Sequence, residues 1–164
     1  MMISYASQSG LFQFRAASIV LYHNKILLQR ASANERWFIP GGRVEFGETA
    51  EQTIDREMLE EFGVPILEKK LVWIIENLIE FQNKKVHEIA MYFAVRLQED
   101  HPILQHEGEF LGFEEEYVNR WVDLSDLDEL EIVPEFVVPE LKALDLAQGV
   151  KHIVNRGVRN YSIS

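Results

Sequence analysis

The chain contains no cysteine, which excludes disulfide bonds and thiolate metal sites alike. A reducing compartment suits such a sequence, and the cytoplasm is the expected location. It contains no uninterrupted apolar run near the roughly 20 residues that span a bilayer, so no membrane partner is expected. Its opening residues, MMISYASQSG, lack the charged-then-apolar layout of a signal peptide. Positive charge is also scarce: 16 Lys and Arg stand against 27 Asp and Glu, a net charge of −11. A surface this acidic repels nucleic-acid backbones and anionic membranes, so nucleic acid is not an expected partner. It repels free nucleotides equally. A polyphosphate substrate would need a cation between the two sets of negative charge, and Mg²⁺ shares carboxylate and phosphate oxygens readily.

What is present suits one domain. The chain has 164 residues, of which 47% are hydrophobic and 26% charged, as in ordinary globular proteins. Segment 12–22 reads as a strand, His23-Asn24-Lys25 as a turn, and 26–30 as its partner strand. Trp37-Phe38-Ile39 then runs into the breaker Pro40-Gly41-Gly42. From Thr49 the period becomes helical. Ala50, Ile54, Met58 and Phe62 recur every four residues, and Gly63 with Pro65 closes the helix. Thr49 with Gln52 makes a capping box. Two long strands are expected over 66–81 and 86–97, joined by a turn over 82–85, followed by an acidic irregular loop over 99–116. A short strand over 120–124, a helical turn from Ser125, a helix from Pro134 to about Ala147 and a last strand or ordered tail over 150–158 complete the pattern. Strands flanking a central helix, with a second helix near the end, predict an α/β protein with a mixed sheet between helices.

The chemistry concentrates in GRVEFGETAEQTIDREMLEEFGV, residues 42–64. On a helix, Glu57, Glu60 and Glu61 stand at i, i+3 and i+4 and share one face. Like charges at that spacing repel, and a divalent cation reverses the sign of the interaction. Ile54 and Met58 anchor the opposite face to the sheet. Glycines 41 and 42 allow the preceding turn to approach a ligand closely and offer it a carbonyl. Arg56 is spaced to pair with Glu60, and Glu48 can orient the cluster from the helix N-terminus. Singly, each glutamate reads as part of a solvated helix face. Jointly, with ordinary usage roughly 7% per residue type, so many fixed positions do not coincide by chance.

The segment resembles the Nudix box of the Nudix hydrolases at Gly42, Glu48, Arg56, Glu57, Met58, Glu60, Glu61, Gly63 and Val64. Its flanks, WFIPGG before and RWVDLSDL after, are also similar to the family. The resemblance runs from about residue 12 to about 147, within a single domain of residues 1–164 whose C-terminal extension is 148–164. It implies an α/β/α sandwich and hydrolysis of a nucleoside diphosphate linked to another moiety. It also implies Mg²⁺ or Mn²⁺ held by Glu57, Glu60, Glu61 and the Gly41 carbonyl. Glu48, Arg56, Glu57 and Glu61 form the expected catalytic set, with Glu57 or Glu61 the choice of base within the helix. Similar enzymes sometimes draw the base from a distant loop, for which Glu107, Glu109, Glu114, Glu115 and Glu116 are candidates and Glu115 or Glu116 is preferred by analogy.

Arg30, Trp37, Gly42, Glu115 and Glu116 are the candidate substrate contacts, Arg30 for a phosphate and Trp37 for stacking; a surface cation and packing under a loop are the plainer readings of those two. His87 and Glu88 are adjacent on a strand and so face opposite sides, which argues against a joint acid–base role. Trp73 and Phe81 are expected in the core or a dimer interface. The expected partner is a small-molecule nucleotide derivative, with (d)NTPs, ADP-ribose and nucleotide sugars all open. The short chain leans toward a housecleaning nucleotide pyrophosphatase. Homodimerisation is common among similar enzymes. A Nudix-fold module that senses a nucleotide without cutting it is the alternative, disfavoured because every box glutamate is present.

Overall fold

The computed structural model describes residues 1–81 and 83–159; Gln82, expected in the turn, and residues 160–164 of the expected C-terminal extension lie outside them. The strands are β1 (Ser4–Ala6), β2 (Gly10–Tyr22), β3 (Lys25–Ala31), β4 (Gly41–Arg43), β5 (Glu68–Phe81), β6 (Lys84–Arg96), β7 (Glu109–Leu111), β8 (Tyr117–Asp123) and β9 (Lys151–Arg159). Helix α1 (Ala50–Phe62) follows β4, and α2 (Val137–Lys142) precedes β9. Sheet order is β7-β8-β3-β2-β6-β5-β9, with β1 and β4 both paired to β2. The sheet is mixed: β2–β6 and β5–β9 are parallel, the other pairs antiparallel.

Strand β2 is apolar on both sides because both of its faces are covered. Ala16 and Val20 face α1 within one core, together with Ile54, Met58 and Phe62. Ala17 and Ile19 face the other core, with Val137 and Leu141 of α2 and with Trp73. Two cores on opposite faces of one sheet make an α/β/α sandwich.

One edge of β2 runs continuously along β6. The other edge is divided among β1 at residues 11–13, β4 at 15–17 and β3 at 21–22. Strands β2 and β3 therefore part company after their hairpin, and segment 37–43 fills the gap. Phe38 exchanges backbone hydrogen bonds with Gln29 of β3 at 2.7 and 2.9 Å, while the Pro40 carbonyl accepts from Ser18 of β2 at 2.8 Å. The Pro-Gly-Gly run is thus pinned inside the sheet next to the start of α1.

Several elements differ from the sequence pattern, among them strand β1 and strand β4, which takes in Gly41-Gly42 of the expected breaker. The helix expected from Pro134 to Ala147 is six residues long, Val137–Lys142. The Asp145 side chain takes the Ala147 backbone N–H at 2.9 Å, a local bond that competes with helix continuation. The 99–116 loop is partly ordered, containing a 3₁₀ turn at Pro102–Gln105 and strand β7. Burial of Ile103 and Leu104 supplies the reason, and the Ile103 carbonyl accepts from the Trp121 indole at 2.9 Å. Residues 151–159, from the expected extension, form β9 along β5. Trp73 lies in the α2-side core; the Phe81 side chain is outside the described set. No helix among the described residues is long and apolar enough to cross a membrane.

Candidate active site

Helix α1 begins with its capping box formed: Thr49 Oγ1 accepts from the Gln52 N–H at 3.1 Å, and Gln52 Oε1 from the Thr49 N–H at 2.9 Å. It ends at Gly63, where φ is +65°, a conformation that favours glycine. Ile54 and Met58 are fully buried against the sheet, so the glutamate face turns away from the core and toward β4.

Arg56 is the hub of that face. Its Nε and Nη2 grip both oxygens of Glu48 at 2.9 and 3.0 Å, a bidentate pair. Nη1 reaches Glu57 at 2.8 Å and Glu60 at only 3.4 Å, and Nη2 also donates to the Arg43 carbonyl at 3.2 Å. Sequence spacing suggested Glu60 as the main partner of Arg56; Glu48 is bound more closely. Glu48 accepts in addition from Thr53 Oγ1 and the Glu45 N–H, at 2.6 and 3.1 Å. The guanidinium beside it, with those bonds, holds the Glu48 carboxyl down at about 2. Arg56, reciprocally, is held firmly charged.

Glu57 lies against the backbone of Gly42. A Cβ on that glycine would come within 2.3 Å of Glu57 Oε1, so a side chain there would force the carboxylate to move. Burial raises the Glu57 carboxyl, against the pull of Arg56. Glu61 is deeper, 6% exposed, and burial together with Glu57 and Glu114 pushes its carboxyl up to about 8. Gln29 Nε2 approaches Glu61 at 3.4 Å, and donates to Asn119 Oδ1 at 3.0 Å. Glu60 remains half exposed at the rim.

The 109–116 loop closes over the C-terminal turn of α1. The Phe113 N–H donates to the Glu61 carbonyl at 2.7 Å, and a Cβ at Gly112 would sit 2.5 Å from that oxygen. This brings Glu114 into electrostatic reach of Glu57 and Glu61, while its own carboxyl is raised by burial, Glu116 and Glu60. Glu115 and Glu116 have exposed side chains, and their carbonyls accept from Ser32 at 3.2 and 2.8 Å. Glu109 pairs with Arg30 at 3.0 Å. Glu107 is exposed.

Arg30 and Trp37 are occupied with one another. The guanidinium lies 5.2 Å from the Trp37 ring centroid and donates to the carbonyls of residues 31, 32 and 34, and Trp37 is 5% exposed in the α2-side core. His87 is exposed and Glu88 buried, on opposite strand faces. Gln29, Asn119, Gly112 and Tyr117 escaped the sequence reading. Only Gln29 left a trace there, as the polar residue interrupting an apolar strand.

Donor chemistry can be tested against a metal. All the converging side chains offer oxygen, which suits Mg²⁺ or Mn²⁺, and the carboxyls of Glu57 and Glu61 are raised chiefly by burial and further by the glutamates beside them. Among the described residues, no three His, Asp or Glu side chains already stand at metal-holding distance from a common point. Glu57 is partly turned to Arg56. The donor set fits the ion.

A mixed sheet between helices, with a glutamate helix packed against Gly42 of strand β4, defines the class as a Nudix-fold protein. The NUDIX domain family, whose model matches residues 13–141, covers both, and the chain belongs to the Nudix hydrolase family. It is similar to YvcI of Bacillus subtilis (strain 168), an uncharacterised Nudix hydrolase, with 27% identity over 111 residues that cover 68% of this chain and 66% of that one. It therefore spans just under two thirds of that relative's length. The crystal structure of a MutT protein from Bacillus halodurans superposes with a TM-score of 0.65 at 25% identity, covering 88% of this chain and 89% of that one. A MutT protein from Methanosarcina mazei Go1 shares the fold, with a TM-score of 0.58 at 21% identity over 84% of this chain and 95% of that one.

Proposed function

We propose that the protein is a Mg²⁺-dependent hydrolase cleaving a phosphoanhydride bond in a nucleoside diphosphate linked to another moiety. One observation carries this reading: Glu61 is buried beside Glu57 and Glu114, with its carboxyl raised to about 8. Folding gathers like charges here at a cost, and a site that binds a cation gives that arrangement a use. Glu57, Glu60 and Glu61, with the Gly41 carbonyl, would hold Mg²⁺ or Mn²⁺. When bound, the ion supplies charge neutralisation for the diphosphate and a more acidic water.

The chain's own residues supply positioning and proton transfer. Glu48 fixes Arg56 through two hydrogen bonds, and Arg56 in turn holds the Glu57 carboxylate against Gly42. Glu57 or Glu61 serves as base from within the helix. From the loop, Glu114 replaces Glu115 and Glu116 as the choice, because its charge is felt at both Glu57 and Glu61. A small-molecule nucleotide substrate, a cytoplasmic location and a homodimer belong to the same reading, the last checkable by sedimentation.

The test is a phosphate-release assay with Mg²⁺ over nucleoside triphosphates, ADP-ribose and nucleotide sugars. Turnover is expected, and Glu57→Gln and Glu60→Gln should each lower kcat by about a hundredfold or more. Tight binding with no turnover on any member would instead support a Nudix-fold nucleotide-sensing module.

A further inference from the structure

Strand β3 buries Ile26, Leu27 and Leu28 completely, and at the next position it buries an amide: Gln29 is 3% exposed. The Gln29 backbone is fixed from the segment before β4, exchanging hydrogen bonds with Phe38 at 2.7 and 2.9 Å. Strand register sets Asn119 of β8, 1% exposed, directly opposite. Leu27 and its register partner Trp121 lie in the α1-side core, so Gln29 and Asn119, two residues away, face α1 as well. A buried amide costs free energy unless its polar atoms find partners. Two facing amides could satisfy one another and do nothing more. This pair reaches further.

The chain of hydrogen bonds is oriented from one end. The Phe110 carbonyl of β7 can only accept, and it takes the Asn119 Nδ2 donor at 3.4 Å. That leaves Asn119 Oδ1 to accept from Gln29 Nε2 at 3.0 Å, and the same nitrogen lies 3.4 Å from Glu61 Oε2. Among the described residues, Gln29 brings the Glu61 carboxyl its N–H, whereas Glu48 takes two from Arg56 and one from the Glu45 backbone. The difference suits different tasks. A carboxylate gripped at both oxygens by a guanidinium is a neutralised anchor. One held at a single oxygen by a neutral amide keeps its charge and its second oxygen for a cation, which the amide does not repel. Ionisation of Glu61 would also shorten the 3.4 Å contact, because charge-assisted hydrogen bonds are the shorter kind.

The loop closes the circuit. Three residues after Phe110, the Phe113 N–H donates to the Glu61 carbonyl at 2.7 Å. Side chain and backbone of Glu61 are thereby both tied to the segment that carries Glu114. We infer that Gln29 is a positioning residue for Glu61, oriented by Asn119, holding one carboxylate oxygen so that the other is offered to the divalent cation. This rests on the hydrolase reading above and adds to it a pair of neutral amides outside the glutamate helix.

Three readouts on the full chain test it. Gln29→Met keeps the length of the side chain and removes its donor, while Asn119→Leu removes the amide that orients it. Titrated with Mn²⁺ alone and followed by electron paramagnetic resonance, each variant should bind the ion about tenfold more weakly than the wild type. With saturating Mg²⁺ and the best nucleotide of the panel, kcat should fall about tenfold and KM change less than about threefold. A purely structural pair would lower the thermal midpoint of the metal-free protein and leave the Mn²⁺ dissociation constant unchanged, a result that overturns the assignment. Should neither variant fold, the wild type decides. On adding Mg²⁺, the side-chain amide resonances of Gln29 should move, while those of Gln13, bonded to Glu88 on the opposite face of the sheet, stay in place. Unmoved Gln29 resonances overturn the assignment. Turnover with wild-type Mn²⁺ affinity and kcat in both variants sinks the positioning role and leaves the hydrolase standing. Gln29-dependent Mn²⁺ binding without turnover of any nucleotide supports the positioning role and removes the hydrolase reading.

Discussion

Glu61 shows how burial converts an ordinary carboxyl into a site. With the carboxyl near 4.5 when unfolded and about 8 when folded, the native metal-free protein holds a proton that the unfolded chain releases across that window. Stability associated with Glu61 is therefore present below about 4.5 and lost as pH rises through about 8. Glu61→Gln should make the metal-free protein more stable at pH 8, by roughly 1–3 kcal/mol, and flatten the fall; urea titrations from pH 5 to 8.5 will measure it. Glu48 has the opposite sign. Its folded carboxyl, about 2, lies below the unfolded 4.5, so its contribution is present above 4.5 and disappears as pH falls through 2. Glu48→Gln should consequently cost stability at pH 7 and little at pH 2, read by the same titrations. Glu114→Gln discriminates among the bases: kcat should fall at least tenfold if the loop supplies the base, and change little if Glu57 or Glu61 does.

At the scale of elements, α1 was legible because its signals are local. The four-residue apolar recurrence, the Thr49–Gln52 box and the Gly63 stop each act within one or two turns, and the observed helix obeys all three. The shortened second helix shows the limit of such signals: it stops at Lys142, and Asp145 then takes the Ala147 N–H on its own side chain. Strand β4 adds a constraint that spacing alone does not express: a side chain at Gly42 would collide with the Glu57 carboxylate as it is placed. Gly42→Ala should displace Glu57 or β4, lowering kcat by tenfold or more while the far-UV circular dichroism stays native. Thr49→Ala should cost about 1 kcal/mol of stability, with a smaller effect on kcat than Gly42→Ala. The pair separates cap from site.

For the whole molecule, the net charge of −11 makes a bound cation an expected source of fold stability. At a hundred times its dissociation constant, Mg²⁺ should add about 2.7 kcal/mol to unfolding, visible as a calorimetric shift that chelation reverses and Glu57→Gln diminishes. By itself, the sequence determined the helix, its capping, the glutamate set and the family, since these depend on neighbours within a few residues or on a motif of fixed spacing. Tertiary structure alone decided that Glu61 is buried, that Glu114 rather than Glu115 or Glu116 reaches the cluster, that Arg30 and Trp37 are engaged with each other, and that Gln29 faces Asn119. Each joins residues distant along the chain through the register of a sheet or the closing of a loop, and strand pairing of that kind leaves no periodic mark in the sequence.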